Sequence, residues 1–66
     1  MDNSRLLNHI ANEIDKLRVD QASFLANGGA KEFAEYRHVC GIIRGLSHAE
    51  TLVKDLVRKM ESYDDE

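Results

Sequence analysis

Proline is absent from the 66 residues, so no position is denied to a helix interior by a missing N–H or a ring clash. Cysteine occurs once, as Cys40, which excludes a disulfide within one chain and fits a reducing compartment or indifference to redox state. Aromatic residues make up only 6%. No apolar run approaches the roughly 18 residues of a membrane span, and no charged-then-apolar signal segment opens the chain. The expectation is a soluble, intracellular protein away from membranes. The spacings C-x-x-C, H-x-x-x-H and H-E-x-x-H that hold zinc are missing. So is the G-x-x-x-x-G-K phosphate loop, since Gly28-Gly29 follows a helix and not a strand. No metal or other cofactor is expected.

A chain this short makes one small domain with a modest core. Below roughly 70–80 residues, folds usually lean on disulfides, a metal or oligomerisation. With the first two set aside, oligomerisation is the remaining support.

What the chain does contain favours helix: it is rich in Ala, Leu, Glu, Lys and Arg, which lose little on entering one. Leu7, Ile10, Ile14, Leu17 and, after a skipped Gln21, Phe24 follow the three-and-four spacing of a packed helical seam. Leu6, Ala22 and Leu25 widen it. Asn27-Gly28-Gly29 is a stop signal. Beyond it, Val39, Ile42, Leu46, Ala49, Val53, Leu56 and Met60 make a second seam without an error. Ser47 to Glu50 has the S-x-x-E form of a capping box, but the seam crosses it in phase, so a single helix with at most a bend at Gly45–Ser47 is expected. The fold class is all-α: an antiparallel two-helix hairpin assembling into a four-helix bundle or larger helical oligomer. Its parts are a helix over about 4–27, a hinge at 28–29, a helix over about 30–62 and an acidic tail at 63–66. The longer second helix is expected to overhang the first at its far end, leaving Val57, Met60 and Tyr63 short of cover.

On a helical wheel, Phe33, Tyr36, Cys40 and Ile43 adjoin the second seam, while Ala34, Gly41, Gly45 and Leu52 lie on its other flank. A helix apolar nearly all round is buried on several sides, more than one partner helix can cover. Tyr36, Cys40, Gly41, Ile43, Gly45 and Leu52 are therefore expected to meet a second chain, most simply as a dimer. Each Gly costs about 1 kcal/mol relative to Ala in a helix. Gly41 and Gly45 offset this if they form a small-x-x-x-small groove for another backbone; a kink is the alternative.

Catalysis finds little footing. Cys40 or Ser47 as a nucleophile would need a base oriented by a third group, and His38 and His48 point away from Cys40 on the wheel. Cys40 reads as a small buried hydrophobe, and no enzyme is expected. Charge is mild overall, at −3, but uneven. Residues 61–66 hold Glu61, Asp64, Asp65 and Glu66 without a base, and residues 37–48 hold Arg37 and Arg44 without an acid. Arg37, Arg44 and His48 form a basic strip fitted to an anion or an acidic partner. Without an aromatic among them to stack bases, an ion-pair face ranks ahead of a nucleic-acid site.

The stretch Ala30-Lys31-Glu32-Phe33-Ala34-Glu35-Tyr36-Arg37, followed by Cys40 to Leu46, Ala49, Asp55-Leu56 and a charged end, resembles short helical-hairpin proteins of unassigned function encoded by tailed bacteriophages. The likeness covers roughly residues 26 to 62, and Tyr-x-x-x-Cys-Gly-x-Ile-x-Gly-Leu is its most specific element. It implies a phage protein in the host cytoplasm or the virion, and brings no catalytic motif. The expected function is that of a non-enzymatic structural or assembly component acting by self-association. Its partners would be further copies of itself and a virion or host protein. The alternative is a small regulator that inhibits a host protein or associates with nucleic acid through Arg37 and Arg44.

Overall fold

The computed structural model describes residues 3–64, with side chains through residue 62. Two helices, α1 (Asn3–Ala26) and α2 (Phe33–Asp64), pack against each other as an antiparallel hairpin, 52 × 16 × 13 Å in extent. α2 runs unbroken through Gly41, Gly45 and Ser47, so the capping-box pattern there starts no new helix.

The turn follows from Asn27-Gly28-Gly29. Gly28 takes a left-handed φ of 75°, a conformation that a Cβ disfavours. Its N–H donates to the Leu25 carbonyl at 3.1 Å, and the Gly29 N–H donates to the Phe24 carbonyl at 2.8 Å. These crossed bonds are the Schellman closure, which satisfies carbonyls that the helix end would leave unpaired. The Phe24 ring lies over Gly29 in the space a Cβ there would occupy. α2 begins only at Phe33, with the Glu32 carbonyl accepting its first bond from the Tyr36 N–H at 3.0 Å. Ala30 and Lys31, expected in the helix, belong instead to the connection, because the chain must climb past the capped end of α1 before turning back.

That climb reverses the expected overhang. Arg18 lies level with Glu50, Val57 is buried and Met60 half-buried, so the N-terminal end of α1 covers the last turns of α2. It is the start of α2 that projects, with every residue from Phe33 to His38 exposed. Tyr63 belongs to α2, but its side chain lies outside the described residues, as do Asp65 and Glu66 altogether.

The inner seam is also rotated from expectation. On α1 the positions turned inward are Leu7, Ala11, Ile14, Arg18, Gln21 and Leu25; on α2 they are Val39, Ile43, Leu46, Glu50, Val53, Val57 and Met60. Both sets keep three-four spacing. Ile10, Leu17 and Phe24, assigned to the first seam from sequence, are exposed, and so are Ile42 and Leu56 from the second. Each helix has an apolar sector wide enough for two stripes, and the hairpin buries only one of each pair.

Two charged residues occupy the inner seam. Arg18 hydrogen-bonds Asp15 one turn earlier, and its Nε lies 3.6 Å from Glu50 Oε1 across the interface. Glu50, with its side chain only 13% exposed, is also 3.4 Å from the Lys54 ammonium. The Arg18 Nε–H is buried and makes no hydrogen bond of its own. The Arg18 hydrogen bond holds the Asp15 carboxyl below its ordinary value, and Asp15 likewise raises the Arg18 guanidinium.

Candidate functional site

The projecting first turns of α2 gather most of the sequence-predicted functional residues. Phe33, Tyr36, Arg37, Cys40, Gly41 and Arg44 line one shallow concavity of about 360 Å³. Helical spacing explains the grouping: 33, 36 or 37, 40, 41 and 44 succeed one another along one side of the helix. α1 ends below this level and leaves that side open.

Phe33 and Tyr36 stack, with ring centroids 6.3 Å apart and planes inclined by 22°. The Arg37 guanidinium stands over the Phe33 ring at 5.9 Å from its centroid, within cation–π range. The Tyr36 hydroxyl is raised above its ordinary value, first by a hydrogen bond with the Cys40 thiol one turn on, then by the thiol's charge and by burial. Cys40 is free and half-buried. The sequence reading placed no aromatic beside the arginines; the structure corrects this. Phe33 is 71% exposed and lies next to Arg37. The i, i+4 relation between them was the available signal, obscured by assigning Phe33 to a buried face.

The remaining candidates separate from this group. Ile43 is half-buried in the inner seam of the hairpin, and so is committed to α1 rather than free for a second chain. His48 and Leu52 line a different shallow surface with Ser47 and Thr51. Gly41 and Gly45 are exposed, and a Cβ built on either meets nothing within 4 Å. No part of the same chain makes use of their small size.

Among the described residues, no group of three or more His, Cys, Asp or Glu side chains is placed to hold a metal ion. None of the described helices is long and apolar enough to cross a membrane. No protein-family model, curated protein or solved structure matches the chain.

Proposed function

We propose that this chain is a non-enzymatic helical hairpin that works by self-association, as a structural or assembly component. The resemblance over residues 26 to 62 suggests the setting of a tailed-phage infection, in the host cytoplasm or in the particle. One observation supports the reading above the others. Among the described residues, only Ala11, Val39 and Val57 are apolar and buried, while ten large apolar side chains stay exposed. A core of that size offers little against the conformational entropy of ordering a helical hairpin, so a lone hairpin lacks a source of stability that assembly would supply. Sedimentation equilibrium at micromolar concentration is expected to show a species heavier than one chain. A folded monomer that persists on concentration overturns the proposal.

The aromatic and basic tip favours a second reading, in which the chain is a small regulator of a host protein or binds nucleic acid. Stacked rings beside two arginines are suited to unpaired bases. Binding of that kind weakens steeply with salt, because neutralised phosphates release counterions. We expect a single-stranded oligonucleotide not to be retained at physiological salt. Tight, salt-sensitive retention that an Arg37→Ala, Arg44→Ala double variant abolishes would put this reading first.

A further inference from the structure

We infer that the hairpin carries one built docking face, formed by the outer stripes of both helices, and that its occupant is a second copy of this chain with its loop at the opposite end. The inference rests on the self-association reading and names the surface and arrangement it would use.

On α1, Ile10, Leu17 and Phe24 lie about 70° from the inner seam at 3.6 residues per turn, in the same rotational sense at each position. On α2, Ile42, Ala49 and Leu56 lie at the same offset in the same sense. A right-handed helix turns the same way seen from either end. Equal offsets measured along two opposed chains are therefore mirrored across the seam and fall on one face of the hairpin. Asp15 and Lys54, at the opposite offset, should then share the other face, and the Lys54 charge does act on the Asp15 carboxyl. One face of the hairpin is thus apolar and the other polar. The aromatic tip is not part of the apolar face, since Phe33 and Cys40 lie on the polar side.

On α2 the face is itself a complete seam: Ile42, Gly45, Ala49, Leu52 and Leu56 follow three-four spacing and straddle the direction at right angles to α1. Leu52 is 70% exposed and Leu56 48% exposed, although both belong to this pattern. Glu13 and Asp20 interrupt the outer rim of the α1 stripe, so α2 against α2 of the second copy is the centre of the contact.

Area and side-chain size identify the occupant and its direction. The chain exposes 5307 Å², whereas a compact monomer of its 7.5 kDa exposes about 4,200 Å². The excess, roughly 1,000 Å², is close to the ~800 Å² per partner of a standard protein interface. Loops at opposite ends set the bulky Leu52 near Gly45 of the second copy, whereas loops at the same end would set Gly45 against Gly45 and leave a gap. In the opposed arrangement Ala49 lies near the two-fold axis, Ile42 meets Leu56 of the second copy, and Leu52 falls level with Gly45 of the second copy, where no Cβ stands in its way.

Three variants of the full chain test this. Leu52→Glu leaves the intrachain seam untouched, so circular dichroism should keep its helical signal, while the dimer dissociation constant measured by sedimentation rises about 100-fold or more. In a Cys40→Ser background, Ala49→Cys should form a disulfide-linked dimer on mild oxidation whereas Ile42→Cys should not, since loops at opposite ends set the two copies of residue 42 about 21 Å apart along the helix axis and loops at the same end would set them side by side. An oligomer indifferent to Leu52→Glu overturns this face and leaves self-association standing. A Leu52-dependent dimer that lacks the Ala49→Cys cross-link, or that also cross-links through Ile42→Cys, overturns the opposed arrangement. A wild-type monomer at all concentrations overturns both the face's assigned occupant and the reading beneath it, and passes the face to a different protein.

Discussion

Arg18 and Glu50 are the charged side chains that the hairpin takes into its inner seam, and they form the one cross-helix ion pair among the described residues. Removing one member of a shielded pair strands the other, which is the costly change. Arg18→Ala leaves Glu50 with Lys54 alone and is expected to lower stability, moving the unfolding midpoint to lower urea. Replacing both residues together with Leu should be neutral or stabilising, while loosening the register that the pair fixes. Urea unfolding of the two variants separates the outcomes. Asp15 adds a pH dependence. Its folded-state value is lowered by Arg18, so its contribution is present above the ordinary carboxylate range and is lost as pH falls through the lowered value. Asp15→Asn is therefore expected to flatten the acid limb of the stability curve below about pH 4, and a limb of unchanged steepness would contradict this.

Glycine acts differently in the connection and in α2. Gly28 sits at a φ of 75°, where an added Cβ is strained, so Gly28→Ala is expected to destabilise by roughly 1–2 kcal/mol. Gly41 lies on the far side of α2 from the inner seam, with open space around it. There, Gly41→Ala should raise stability by about 0.5–1 kcal/mol through helix propensity alone. Gly45 has equally open space within its own chain, but it belongs to the outer seam. Gly45→Ala should therefore gain less than Gly41→Ala, or weaken association outright. Thermal unfolding of the three variants at matched concentration reads all of these effects, and equal gains at Gly41 and Gly45 would exclude a neighbour against Gly45.

The whole molecule is long and thin, with a radius of gyration of 15.3 Å against about 11 Å for a compact chain of this length. Its surface is correspondingly large and its interior shallow. If a second copy completes the core, folding and association are linked, and stability becomes a function of concentration. The unfolding midpoint should then rise with each tenfold increase in protein. A midpoint constant across the micromolar range would show that the hairpin stands alone.

Local chemistry along the chain makes it two helices and marks where they part. Freedom from proline, the three-four recurrence of apolar residues and Asn27-Gly28-Gly29 are local properties, and helix formation and capping are decided locally. Which stripe of each helix turns inward depends on packing between the helices. Ile10, Leu17 and Phe24 make a more apolar stripe than Ala11, Arg18 and Gln21, and sequence reasoning favours it. The hairpin instead buries the stripe in which Arg18 meets Glu50, a pairing between residues 32 positions apart that no local pattern reveals. The path of residues 27–32 decided the direction of the overhang: it lifts the start of α2 beyond α1, covers Val57, and exposes Phe33 beside Arg37. Periodicity fixes the angle between the stripes of one helix, but only packing against the other helix chooses which of them is left outside.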